Sequence, residues 1–301
     1  MDESTGFIDF SYAGETYQTW YKVVGNLKSG IRPLVTLHGG PGMSHVYMIS
    51  HTELFVKHGI PVVFYDQLGI GASTHLPNKS PDFWTVGLFM DELDNVLDNL
   101  GIAGDFDLLG HSWGGMLAAD YASSRHPPGL HRLVISSAPP SISLWEQSMH
   151  QLLEGFPEDF REMLHKHERQ GTTSDKEYQD GMQVFYARHT CTTKPWPQEL
   201  IDSFATMEED PTVYQTMIGP SEFYTIGTLR TWTTVDRLHT INRPTLLTNG
   251  VAEGAQDFCV MPFFEKIPRI KWVKFAESHI PFFEDKERYF QVLVDFLTAE
   301  D

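Results

Sequence analysis

The sequence predicts an α/β protein: a mostly parallel sheet covered by helices on both faces and interrupted by an inserted block of helices. Three observations predict it. Short runs rich in branched and aromatic residues read as buried strands: Leu34 to Leu37, Pro61 to Tyr65, Phe106 to Leu109, Leu133 to Ser137, Thr245 to Thr248 and Trp272 to Phe275. Between them lie helix-like stretches. In Phe89 to Leu100 the residues Leu93, Val96, Leu97 and Leu100 share one face, and Met116 to Ser124 is stopped by Pro127 and Pro128. Strand alternating with helix argues for parallel pairing, because a parallel strand needs a long crossover to return. Finally, the alternation breaks between Pro139 and about Val235, where strand signals disappear.

Each part of the chain then has a place. Phe7 to Val24 alternates loosely and is expected to supply antiparallel edge strands. The interrupted stretch is polar and amphipathic, with helix-like pieces at Leu144 to Leu153, Glu158 to Arg169 and Lys176 to His189. The core pattern resumes at Arg243-Pro244-Thr245-Leu246-Leu247, so the block interrupts one domain instead of following a linker to a second. The expected organisation is a core of residues 1–138 and 236–301 with a helical cap at 139–235. Glu287 to Leu297 is expected to be the terminal helix.

Composition narrows the function. With 41% hydrophobic and 13% aromatic residues, the 301-residue chain has enough apolar side chain for a large core and a lined pocket, as a globular enzyme requires. A formal charge of −18 repels phosphate backbones and anionic headgroups, which excludes nucleic acid and membrane surfaces as expected partners. A small molecule or short peptide is the expected ligand. Cys191 and Cys259 are too few and too far apart for a metal-ligand cluster and read as buried thiols. No apolar run approaches the roughly 20 residues of a membrane span, and Met1-Asp2-Glu3-Ser4 lacks the basic and apolar parts of a secretory signal, so a cytoplasmic location is expected. Oligomeric state leaves no trace in the sequence.

One motif carries chemistry. Phe106-Asp107-Leu108-Leu109-Gly110-His111-Ser112-Trp113-Gly114-Gly115-Met116-Leu117 places strand, Gly-x-Ser-x-Gly turn and helix in the order of the nucleophile elbow of the α/β-hydrolase fold. The turn holds the Ser112 hydroxyl clear of the backbone at a helix N-terminus, where the dipole favours a developing anion. Side chains at Gly110 or Gly114 are expected to collide with the neighbouring strand or helix. Upstream, His38-Gly39-Gly40-Pro41-Gly42 follows a strand as a tight loop. In this architecture the oxyanion is bound by the amide after the nucleophile, here Trp113, and by one from that loop, here Gly40. The general base is sought beyond the last strand, and of the 14 histidines His279 stands there. Trp196, Phe204, Phe223, Tyr224 and Trp232 are expected to line an apolar pocket over the serine. Asp66 is expected to close the loop after its strand by hydrogen bonding.

His38-Gly39-Gly40-Pro41-Gly42, Asp66-Gln67-Leu68-Gly69-Ile70-Gly71-Ala72-Ser73, Gly110-His111-Ser112-Trp113-Gly114-Gly115 and Ser278-His279 together resemble the proline iminopeptidases and tricorn-associated aminopeptidases of the serine S33 group. The likeness extends to Gly219-Pro220-Ser221-Glu222-Phe223 and Gly227-Thr228-Leu229-Arg230-Thr231-Trp232 in the cap. It implies hydrolysis of an amide or ester next to a free amino terminus, through an acyl-enzyme on Ser112 and without a cofactor. Relatives read Asn-Gly-x-x-Asp-Glu-Ala-Gln-Asp where this chain has Asn249-Gly250-Val251-Ala252-Glu253-Gly254-Ala255-Gln256-Asp257. That register puts Glu253 at the triad acid position, with Asp257 as the alternative. It also puts Gly254 where relatives carry a carboxylate that helps grip the substrate ammonium, leaving Glu222 as the other half of that grip. These departures keep a second function in view, a natural-product tailoring esterase or a non-hydrolytic cyclase on the same fold. A third is a receptor that keeps the pocket without turnover.

Overall fold

The computed structural model describes residues 3–300; Met1 and Asp2, part of the stretch read for a secretory signal, lie outside them. Eight strands are described: β1 (Glu3–Tyr12), β2 (Glu15–Val24), β3 (Leu34–Leu37), β4 (Val62–Tyr65), β5 (Phe106–His111), β6 (Leu130–Ser136), β7 (Thr245–Gly250) and β8 (Ile270–Phe275). They form one sheet in the order β1-β2-β4-β3-β5-β6-β7-β8. β1 and β2 make the expected antiparallel hairpin, and β2 pairs antiparallel with β4. From β4 to β8 every pairing is parallel. All six runs read as buried strands lie in this sheet.

Parallel strands covered on both faces show no polar alternation, and β3, β4 and β5 are buried at every position. The period of two appears instead as a sorting between two cores. Val35, Leu37, Val63, Tyr65 and Leu108 pack with α2 (Val86–Asn99) and α3 (Trp113–Ser124). Leu34, Val62, Phe64 and Leu109 pack on the other side with α1 (Glu53–His58) and α11 (Lys286–Leu297). α2 begins where Thr85 accepts a hydrogen bond from the Leu88 amide, an N-cap that satisfies one of the free first-turn donors.

Between β6 and β7 lie α4 (Ile142–Leu153), α5 (Glu158–Gln170), α6 (Lys176–His189), α7 (Gln198–Glu209) and α8 (Thr212–Met217). This segment leaves and rejoins the sheet at one place. Ser141 and Thr233 form an antiparallel bridge, and the Thr234 amide donates to the Pro140 carbonyl at 2.9 Å. After β7 come α9 (Asp257–Lys266), then β8, α10 (Pro281–Glu284) and α11. The loops that follow β3, β5, β7 and β8 carry the residues singled out in the sequence.

Candidate active site

Ser112 is the single residue between β5 and α3. It sits at φ 55° and ψ −122°, a strained backbone for a residue with a side chain. The surroundings over-determine it: its amide donates to the Ser136 carbonyl at 2.9 Å, and its carbonyl accepts from the amides of Gly115 and Met116. The turn is possible because its flanks lack side chains. A Cβ on Gly110 would stand 2.0 Å from the Gly114 carbonyl oxygen, and one on Gly114 would stand 2.1 Å from that of Leu37.

His279 follows β8, and its Nδ1 lies 2.5 Å from Glu253 Oε2. Glu253 sits in the loop after β7 and is fully buried. Its other oxygen accepts from the Ser137 hydroxyl at 2.8 Å and the Gly250 amide at 2.5 Å, so the carboxylate is held at three points. Burial opposes charge on the His279 ring, but the Glu253 carboxylate outweighs it and Glu222 adds to it, so the ring titrates above the ordinary histidine range. Asp257, the alternative acid, is turned elsewhere. It begins α9, accepts from Asn249 and pairs with Lys274 at 2.5 Å.

The loop after β3 comes over the elbow. A Cβ on Gly39 would lie 3.1 Å from that of Ser112, and Gly40 lines the same cavity as Ser112. Trp113 is the first residue of α3, where an amide has no acceptor inside the helix. Gln67 ties the two together: it accepts from Trp113 Nε1 at 2.8 Å, and its amide donates to His38 Nε2 at 3.0 Å. Asp66 closes the following loop as expected, accepting from the amides of His45 and Ala72 and from the His45 ring.

Ser112, His279, Gly40 and Glu222 open onto one cleft. No direct hydrogen bond joins Ser112 to His279 among the described residues; such bonds often tighten only around substrate. Glu222 accepts no hydrogen bond from the described residues, and burial pushes its carboxyl up to about 7 against the attraction of His279. The segment that carries it is fastened on both sides. Ser221 donates to Glu168 at 2.8 Å, the Thr225 amide donates to Glu146 at 2.7 Å, and the His150 ring bonds the Phe223 carbonyl at 2.8 Å.

The pocket wall differs from the sequence expectation. Of the five aromatics proposed, only Phe204 lines the cleft. Phe223 is core, Tyr224 is exposed, Trp232 Nε1 bonds Asp120, and Trp196 Nε1 bonds the Cys191 carbonyl. The wall is built by Trp145, Met149, Phe185, Tyr186, Met207 and Tyr214. Composition alone does not tell which aromatic of a helix meets the cleft and which the core. Gly254 acquires its reason here: a Cβ would lie 2.5 Å from Trp145 Cη2 and 2.9 Å from Met149 Sδ. Trp145 fills the space that a carboxylate at 254 would need. The cysteines are free and buried, and no group of metal ligands is found among the described residues. Nor is any described helix long and apolar enough to cross a membrane.

This sheet, with a serine on the turn after β5, a carboxylate after β7 and a histidine after β8, defines the α/β hydrolases. Residues 32–285 match the α/β-hydrolase-fold family, and the chain belongs to it. Within that family the proteins it resembles include proline iminopeptidases. It is 34% identical to the one from Clostridium botulinum (strain Hall) over 95% of this chain and 96% of that protein. The crystal structure of a proline iminopeptidase from Mycobacterium smegmatis superposes with a TM-score of 0.89 at 39% identity, covering 98% and 97% of the two chains. That of VinJ superposes at 0.92 and 46% identity, covering 97% and 98%. The protein is a serine hydrolase resembling prolyl aminopeptidases, and these likenesses favour that reading over the tailoring esterase or cyclase.

Proposed function

We propose that the protein removes an amino-terminal acyl residue from a small amide, ester or short peptide, with Ser112 as nucleophile, His279 as base and Glu253 as the acid of the triad. Ser112 Oγ attacks the carbonyl carbon as its proton passes to His279 Nε2. The amides of Gly40 and Trp113 bind the oxyanion. Collapse expels the leaving amine or alcohol, which takes the proton from His279 and leaves the acyl group on Ser112. Water repeats the sequence in reverse roles and frees the acid. Glu253 holds His279 in the tautomer with Nδ1–H and stabilises the imidazolium.

The observation that carries this reading is the cleft shared by Ser112, His279 and the unpartnered Glu222 carboxylate. A partly buried carboxylate with no donor among the described residues calls for one from the ligand, and an ammonium is the donor that matches its charge. Trp145 over Gly254 leaves Glu222 to hold that ammonium alone, beside walls of aromatic rings and methionines that suit an apolar acyl group. We also propose that residues 139–235 act as a cap, since they supply Glu222 and most of that wall, and that the protein works in the cytoplasm.

The test is fluorophosphonate labelling, followed by a panel of aminoacyl arylamides, their N-acetylated counterparts and aryl esters. An adduct on Ser112, absent in Ser112→Ala, is expected, with arylamide turnover that N-acetylation abolishes. An intact protein without an adduct sinks the serine mechanism. Equal turnover of free and acetylated amines sinks the assignment of Glu222.

A further inference from the structure

One buried chain of hydrogen bonds runs from the oxyanion loop through the elbow to the loop of His279. The Gly39 amide donates to Tyr47 Oη at 2.7 Å. Tyr47 Oη lies 2.8 Å from His111 Nδ1, and His111 Nε2 lies 2.8 Å from the main-chain oxygen of His279. The two ends fix every direction between them, because an amide only donates, a carbonyl only accepts, and burial keeps the His111 ring neutral, with one proton to give. His111 therefore carries its proton on Nε2 and gives that bond to the His279 carbonyl. Its Nδ1 accepts from the Tyr47 hydroxyl, whose oxygen accepts from Gly39.

The chain is shielded and packed. Tyr47 and His111 are 0% and 2% exposed, so bulk water does not compete for these bonds. Phe282 packs on both rings, 5.9 Å from Tyr47 and 5.3 Å from His111, and the His111 ring stands 4.8 Å from that of His279. The segment after β3, the end of β5 and the loop after β8 are thus tied by two side chains, each end being the neighbour or the main chain of a residue in the reaction. The mechanism above uses neither side chain.

We propose that Tyr47 and His111 are positioning residues that hold the main chain of His279 at a fixed distance from the Gly39-Gly40 loop, keeping base, nucleophile and oxyanion amide in register. The proposal rests on Ser112 and His279 as nucleophile and base. Both rings also border the cleft, but a phenylalanine at either position keeps a ring there; misplacement of a base by a fraction of an ångström slows proton transfer more than it weakens binding, so the larger effect belongs in kcat.

The experiment measures the rate of fluorophosphonate labelling of Ser112, kcat and KM on the best arylamide, and melting temperature. The variants are Tyr47→Phe, His111→Phe, the two combined, and His111→Gln, whose amide nitrogen replaces Nε2 as donor to the His279 carbonyl. Each phenylalanine variant is expected to slow labelling and kcat by about tenfold or more, with KM within about twofold. Because the two act as a unit, the double variant is expected to be no slower than the slower single one. His111→Gln is expected to recover several-fold over His111→Phe, roughly what one restored hydrogen bond gives. Unchanged labelling rates beside a lowered melting temperature would overturn the proposal, as would losses that multiply in the double variant. If His111→Phe does not fold, Tyr47→Phe decides alone, since it removes one oxygen atom, and an unchanged rate sinks the proposal. A wild-type protein that takes no label on Ser112 defeats the underlying mechanism instead, so the two failures are distinguishable.

Discussion

At the scale of single residues, the site turns on two glutamates with different surroundings. Glu253 has donors on both oxygens, and its longer side chain reaches His279 while staying anchored to Ser137 and Gly250. Glu253→Gln keeps the shape but offers an amide where His279 Nδ1–H needs an acceptor. A loss in kcat on the order of 10³-fold or more is expected, with folding intact by circular dichroism. Glu222 has no donor among the described residues, and burial pushes its carboxyl up to about 7. Below that pH it is neutral and attracts an ammonium weakly; above it the carboxylate is charged. KM for an aminoacyl arylamide is therefore expected to fall as pH rises through about 7. Glu222→Gln should raise KM and flatten that dependence, and a steep dependence surviving in the variant would assign it to another group.

At the scale of elements, the loop from β7 to α9 is shaped by α4. Ser148 on α4 donates to the Gly254 carbonyl, Gln256 returns two bonds to Ser148, and Trp145 covers Gly254. A side chain at 254 has to displace an indole. Gly254→Glu is expected to destabilise the fold by about 1–3 kcal/mol, read as a lower denaturation midpoint. Adding Trp145→Ala should recover part of that loss, because the opposing atoms are gone; strict additivity of the two changes would contradict the packing argument. Asp257 lies three residues further on and behaves as a surface group. Its bond to Lys274 joins side chains that are both nearly half exposed. Asp257→Asn should cost less than about 1 kcal/mol and leave kcat unchanged, in contrast to Glu253→Gln.

At the scale of the whole molecule, buried acids link stability to pH. Glu92 on α2 accepts from the Thr19 hydroxyl of β2 and from the Leu68 amide beyond β4, with no exposure to solvent. Burial pushes its carboxyl up to about 7. A folded-state pKa above the unfolded one means that the folded protein binds more protons, so this contribution is complete below about 4.5 and is lost as pH rises through 7. The shift corresponds to a loss on the order of 3 kcal/mol. Glu92→Gln can keep both hydrogen bonds without titrating. Urea unfolding at pH 5 and pH 8 should show the variant gaining on the wild type at the higher pH, and an equal gap at both would show that Glu92 is not the group responsible.

Local patterns in the sequence determined the sheet, the elbow and the position of His279. Buried parallel strands must be apolar throughout, a strand-to-helix turn this tight excludes side chains at Gly110 and Gly114, and the histidine follows the last strand. Each of these constraints acts on neighbours along the chain, so the residues display it directly. Tertiary structure alone decided the rest: that Glu253 and not Asp257 meets His279, that Trp145 and Tyr214 line the cleft while Trp232 and Phe223 do not, and that Tyr47 and His111 join the Gly39-Gly40 loop to the main chain of His279. Those outcomes depend on contacts between elements far apart in sequence, where a side chain's partner is set by the packing of two surfaces and leaves no periodicity or spacing behind.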